Sequence, residues 1–444
     1  MKNLTITITS ILILLIIFLS YIANNLLPFK PFLPYLNYLL GVDTPTSYII
    51  LLQNDNEMRA NGGFAGSYAT ILLSTPKTTS IPKPNITLDF QDIYVPNGQL
   101  KGYVTPPKPI QDAFQHGTWE LANADWEPDF PTAATTIRWF FEKGGVKNPD
   151  ILATLSLSTI KKILNIVGPF KVSEYNAEIT PENFYLFLQG QAENNFFPGS
   201  TQKKDALASV GKALKTKLSH LSIPQYIKIA QTIKQDINNQ NILINSTNKD
   251  FQQFLVTQGY SGHITKDALD TYMLVETNLG ANKANCCVVR KTTHTITKEA
   301  NSYNHQVDLS ITNQSPESNP NPPFSYSGHY VAYLRFLIPK DAYDININPM
   351  ESSPSGGLKG VFDKKIDITE NLGFKQIGFF HITAAGTTST VDLSYNTATG
   401  SALFPYQLSI LKQHGMTSSP SIIHYNGQTT TTQLTSNFSF TSEK

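Results

Sequence analysis

Between Gln53 and Gly63 the chain gathers groups that hold anions and sugars: Asn54, Asp55, Glu57, Arg59 and Asn61, closed by the pair Gly62 and Gly63. A guanidinium grips a phosphate through two parallel donors while a neighbouring carboxylate, here Asp55 or Glu57, orients it. The paired glycines supply backbone that accepts a positive φ and comes close to a ligand. The same spacing suits an ion pair between Glu57 and Arg59 that pins a hairpin, and both readings stand on spacing alone.

The elements that must position these groups are two apolar runs, Ile49–Leu52 and Ala69–Leu73. Both have the length and continuity of buried strands, so the polar group is expected in the turn that joins them. Ser74–Asp112 carries Pro76, Pro82, Pro84, Pro96, Pro106, Pro107 and Pro109. Proline cannot donate to a ladder, which predicts a long surface loop with short extended pieces. From Pro131 the period becomes helical, over Thr132–Lys143, Ser158–Val167, Pro181–Gly190, Lys203–Leu221, Pro224–Asn238 and Lys249–Thr257. Strands followed by helices imply an α/β layered domain. Beyond His263 the pattern turns to strands, among them Thr271–Glu276, His305–Thr312, Tyr330–Ile338, Ile377–Ala384, Ser389–Tyr395 and Tyr406–Leu411. They predict an all-β sandwich of immunoglobulin-like type, with Thr417–Lys444 as an edge strand and a frayed tail.

A second acidic set, Asp89, Asp92, Glu120, Asp125, Glu127 and Asp129, is interleaved with Phe90, Tyr94, Trp119, Trp126 and Phe130. Carboxylates beside aromatics suit sugar binding or glycoside chemistry, and on a loop they equally suit a solvated surface. Lys203 and Lys204 open a helix, where basic side chains oppose the helix dipole and a bound anion would account for them. The turn Asn278–Lys283 either closes over the Arg59 site or serves as a hinge between domains, and the hinge is the expected role. The nine histidines show no zinc spacing, and neither a phosphate-binding GxxxxGK[ST] loop nor a GxSxG elbow occurs. No cofactor is expected.

The net charge of +1 leaves no basic excess for a nucleic-acid partner. Asn3–Phe29 contains no charged residue, a run long enough to cross a bilayer once, at about 20 residues. Tyr21 sits badly for signal-peptide cleavage, so an uncleaved signal anchor is expected, with the bulk of the chain extracytoplasmic. Cys286 and Cys287 are the two cysteines. As neighbours they are expected to be small buried strand residues rather than a disulfide.

Gln53, Asn54, Glu57, Arg59, Gly62, Gly63 and Phe64 follow one another as in the signature of the bacterial family filed as domain of unknown function 4012. Asp125–Phe141, the run ending in Gly168-Pro169, and Val275–Arg290 also resemble that family, which implies no activity. In order, the Arg59 turn, Asp150–Pro169 and the helix beginning Gln202-Lys203-Lys204-Asp205 resemble the LytR-CpsA-Psr family. Those membrane-anchored enzymes move glycopolymers from a polyprenyl pyrophosphate carrier onto peptidoglycan, with arginines on the pyrophosphate and aspartates on magnesium. The likeness places Arg59 at the arginine and Asn61 at the aspartate, and matches the later arginine cluster only with Lys203 and Lys204.

These readings predict an anchor over residues 1–29, a LytR-CpsA-Psr-like α/β/α domain over 30–262 and a β-sandwich over 263–444. The expected function is binding, at the bacterial cell membrane, of an envelope glycan or its polyprenyl-phosphate-linked precursor. The site would comprise Asn54, Asp55, Glu57, Arg59, Asn61, Gly62, Gly63, Lys203 and Lys204. One rival is a glycopolymer phosphotransferase with magnesium on Asp55, Glu57 or Asp89. The other is a structural or adhesive surface protein.

Overall fold

The computed structural model describes residues 27–42, 44–76, 84–115, 117–193, 201–266, 268, 270–316, 328–352, 365–399 and 405–442. All but the end of the expected anchor lies outside the described residues. Among those described, no helix is long and apolar enough to cross a membrane.

Alternation of side chains builds the first domain around a five-stranded sheet of β1 (Thr46–Arg59), β2 (Gly62–Ser74), β3 (Asn85–Asp92), β4 (Ile151–Ser156) and β7 (Ile244–Ser246). Its order is β3-β2-β1-β4-β7. β1 and β4 run parallel, and the other neighbours antiparallel. A small hairpin, β5 (Phe170–Val172) and β6 (Ala177–Ile179), stands apart from it. Helices α1 (Phe130–Lys143), α2 (Leu157–Val167), α3 (Phe184–Glu193), α4 (Gln202–Leu218), α5 (Ile223–Asn238) and α6 (Lys249–Thr257) surround the sheet, close to the expected spans. Ile49, Leu51 and Tyr68 point to one face and pack on Phe130, Ile137, Phe140 and Phe141 of α1. The residues between them, Ile50, Leu52, Ala69 and Ile71, point to the other face, as the strand period requires.

Two expectations change here. The polar stretch is not a turn, because β1 continues to Arg59 and β2 starts at Gly62, leaving Ala60 and Asn61 as the connection. Register shifts after Leu52 and Asn54 mark bulges that carry the charged segment within a twisted ladder. Part of the expected loop Ser74–Asp112 is β3, an edge strand paired with β2 from Ser67↔Asp92 to Ser74↔Asn85.

The second domain stacks two six-stranded sheets. One contains β9 (Val288–Lys298), β10 (Ser302–Asn313), β12 (Tyr343–Met350), β15 (Thr388–Ala398), β17 (Pro420–Tyr425) and β18 (Gln428–Gln433). The other contains β8 (Asp270–Asn278), β11 (Tyr330–Pro339), β13 (Asp367–Asn371), β14 (Phe374–Thr383), β16 (Gln407–Leu411) and β19 (Phe438–Thr441). Val307, Leu309 and Ile311 meet Leu334, Phe336 and Ile338 in the core between them. β8 pairs parallel with β16, and β9 with β17. This count and these parallel pairs depart from the antiparallel immunoglobulin-like plan of about seven to nine strands. The region expected to be an edge strand and tail supplies β17, β18 and β19.

Every residue of β11 is buried. Its even-numbered side chains fill the sandwich, while Val331, Tyr333 and Leu337 face the first domain, where they meet Trp126, Ile110 and Ala60. A strand covered on both faces explains why Tyr330–Ile338 reads as a continuous apolar run.

Candidate functional site

Between the sheet and helices α2, α3 and α4 lies a cavity of about 430 Å³. Its floor is one face of the pleat: Ile50 pairs with Ala69, Leu52 with Ser67, and Leu88 of β3 with Ile71, so all point the same way. Leu157 and Ile160 of α2 and Leu207, Val210 and Leu214 of α4 form the roof. Gly211 lets α4 settle on Phe90, since a Cβ there would lie 2.6 Å from the ring.

Polar groups collect at the hairpin end. Asn54 Nδ2 donates to the Tyr185 hydroxyl at 3.2 Å, which donates in turn to Gln189 Oε1 at 3.2 Å. Lys203 Nζ, from the start of α4, donates to the Gly66 carbonyl at 2.6 Å and to Asp92 at 3.1 Å. Glu57, Tyr185, Gln189 and Lys283 complete this end. An ammonium has three donors, and two of those of Lys203 are used among the described residues. The cavity is thus an apolar channel with a polar, partly cationic end.

Of the expected site residues, Asn54, Glu57 and Lys203 line the cavity. Arg59 does not. Its side chain is 4% exposed and its Nη1 donates to the Asn278 carbonyl at 2.7 Å. Nη2 meets Glu57 Oε1 at 3.0 Å, and the guanidinium lies 5.0 Å over the Phe64 ring. Arg59 thus forms the ion pair with Glu57 that its spacing allowed.

Asn61 is equally committed. Its Nδ2 donates to Asp125 Oδ1 at 2.7 Å and to the Glu127 carbonyl at 2.5 Å. Its Oδ1 lies 2.9 Å from His414 Nδ1. Burial pushes His414 down to about 3, so the neutral ring donates through Nδ1. Burial also pushes Asp125 up to about 6.

Asp55 accepts from the Ser158 amide at 3.3 Å, near the first turn of α2, and burial raises its pKa. Gly62, with φ of 118°, packs against Gln53 and lies under Gly415, where a Cβ would approach its Cα to 2.3 Å. Gly63 abuts the Asn54 backbone. These two glycines permit close packing of backbone on backbone and side chain, not approach to a ligand. Lys204 is not among the residues that line the cavity.

Over residues 43–192 the chain matches the family described as Protein of unknown function (DUF4012). The DUF4012 signature divides between two tasks in this structure. Asn54, Glu57 and Phe64 line the cavity, Arg59 and Gly62 hold the hairpin tip against the second domain, Gly63 packs on the Asn54 backbone, and Gln53 both lines the cavity and braces the tip through its bond to the Asn61 carbonyl at 3.1 Å.

No curated protein matches the chain. Among solved structures, TagV of B. subtilis is 16% identical over 49% of this chain and 80% of its own, with a TM-score of 0.29. Lin1025 of Listeria innocua is 13% identical over 48% and 78%, with a TM-score of 0.25. A Legionella pneumophila protein described as a nutrient-binding candidate is 7% identical, with a TM-score of 0.24. The chain spans about half of that last protein's length (54%). At these scores the likenesses carry no argument about this chain.

The second acidic set is dispersed. Asp129 caps α1 and meets His263 at 2.7 Å, Glu127 accepts from Asn371, and Asp89 lies exposed on β3. Trp126 packs on Tyr333 and beneath the buried Arg335 guanidinium, 4.3 Å away, so it offers no sugar platform. The turn after Asn278 is no hinge: Asn278 holds Arg59, Asn285 accepts from the Met58 amide at 3.0 Å, and Lys283 reaches the cavity. Cys286 and Cys287 are not buried strand residues. They are bonded to each other in the short helical turn Ala284–Cys287, with Cys286 exposed.

Tyr185 and Gln189 are polar cavity residues that sequence reasoning missed, and Lys283 belongs to the turn that it weighed as closing over the site. Gln189 lies one turn beyond Tyr185 on α3, an i, i+4 pair that places both on one face, and this was the available signal.

Proposed function

We propose that the chain binds a lipid-linked, phosphate-bearing precursor of an envelope glycopolymer, outside the membrane to which its N-terminal segment anchors it. The apolar tail lies along the channel over Ile50, Ala69 and Leu88, and the phosphate meets Lys203 and Lys283 at the polar end. The observation that carries this reading is the union, in one cavity of about 430 Å³, of a long apolar wall with a polar end holding two lysines. Ligand sites of this kind are mostly apolar, with a few placed polar groups that fix orientation.

A transferase acting through Arg59 and Asn61 finds little support, because both side chains are engaged in the joint between domains. Of the ligands it offered to magnesium, Asp55 is engaged at the start of α2 and Glu57 on Arg59, while Asp89 lies exposed on β3. They do not fit a shared ion. A structural or adhesive role gives the cavity no use.

The test is extraction of lipid that copurifies with the full chain from its native membrane, analysed by mass spectrometry. A prenyl phosphate or pyrophosphate recovered with the wild type and lost in Ala69→Phe supports the reading. Recovery of bulk phospholipid alone, equal in both proteins, contradicts it.

A further inference from the structure

The cavity has a second end, opposite the lysines. Leu88 lines the channel and is also 41% exposed, so the channel opens at edge strand β3. Ile86, next on the same face of β3, is 51% exposed. Several elements converge on this end. α4 starts at Gly66 with Lys203 and runs away from the polar end, so its last turn, with Lys215 and Lys217, lies at the far end. The following turn is fixed there by Gln225, which donates to the Ile166 carbonyl at the close of α2, and it exposes Ile223 by 52% and Tyr226 by 47%. Leu36, 43% exposed, belongs to the segment tied to the end of β2 by the bonds from Thr75 to Gly41 and Leu40.

Resting on the lipid reading above, we propose that this end of the α/β domain docks on the bilayer, and that lipid tails enter the channel from the membrane between β3 and α4. The occupant is an anionic lipid surface. Isolated apolar residues on a surface are ordinary, but Leu88 and Ile86 at the open end of an apolar channel, with Ile223, Tyr226 and Leu36 exposed on segments tied to the same ends of α2 and β2, mark an interaction site. Basic residues beside it add attraction to anionic headgroups. The covalent sequence agrees, because the uncharged run ends at Phe29, seven residues before Leu36. A channel with one end in the headgroup layer and its lysines at the other takes up a tail without exposing it to water.

The full chain is reconstituted into phosphatidylglycerol-containing vesicles with brominated acyl chains, as Ile86→Trp, Ile223→Trp and, on the outer domain, Tyr343→Trp. All three positions are exposed, so each variant should fold. Docking predicts bromine quenching at 86 and 223 that exceeds the quenching at 343 by about twofold or more, as for side chains in the interface. Equal, weak quenching at all three overturns docking. Protection of 86 and 223 that depends on protein concentration and is insensitive to bromine assigns the face to a second copy and also overturns it. Because this readout needs no ligand, docking can fail while channel binding of a soluble prenyl phosphate succeeds, and the reverse.

Discussion

Lys203 Nζ donates to the Gly66 carbonyl at 2.6 Å, tying the first turn of α4 to the middle of the β1–β2 hairpin at the polar end of the channel. The bond fixes an ammonium within reach of the cavity although it also meets Asp92 at 3.1 Å. A charge tethered in this way loses little freedom when a phosphate arrives.

Lys203→Met keeps the stem and removes the charge. Partly exposed ion pairs contribute modestly, so stability should fall by no more than about 1 kcal/mol. Affinity for a prenyl phosphate should fall about tenfold or more, the loss of one charged hydrogen bond. Parallel denaturation and binding titrations check both.

Ala69→Phe directs a ring into the channel from β2 without disturbing the opposite face of the sheet. Tail binding should be abolished, while stability changes by about 1–3 kcal/mol, the range for overpacking. Leu72→Phe, on the opposite and exposed face of β2, should leave binding unchanged.

Arg59→Ala should act on stability rather than on ligand. It leaves the buried Asn278 carbonyl and Glu57 without their donor, a cost of about 2–4 kcal/mol. The folded fraction should bind prenyl phosphate with wild-type affinity. A folded, stable Arg59→Ala that fails to bind would restore Arg59 to the site.

Asp125 makes stability depend on pH. With its carboxyl raised from 3.8 to about 6 by burial, the folded protein holds this proton more tightly than the unfolded chain. Its contribution is therefore greatest below pH 3.8 and falls as the pH rises through about 6, by on the order of 3 kcal/mol in all. Asp125→Asn should flatten this slope, which urea midpoints measured across the range would reveal.

The periods of two and of three to four residues were enough to place β1, β2, the helices from α1 to α6 and, after His263, β8, β10, β11, β14, β15 and β16, whereas β4 was not read as a strand. Two pieces of the site were not legible. Arg59 and Asn61 have the chemistry of an anion site, and whether such groups face a ligand or a neighbouring domain depends on contacts with Asn278 and His414, more than 200 residues away in sequence. β3 was hidden by flanking prolines, because Asn85–Asp92 is an edge strand and only partly apolar, while Phe90 and Leu88 acquire meaning from pairing with β2. The cysteine pair failed for another reason: neighbouring residues seldom bond, and a helical turn allowed it here.

Calorimetric titration of the full chain with farnesyl phosphate, set beside Lys203→Met and Ala69→Phe, tests the central claim most directly. Saturable binding that weakens in the first variant and disappears in the second is the predicted result. No heat from a folded wild type, or binding that neither substitution alters, would contradict a lipid-phosphate site in this channel.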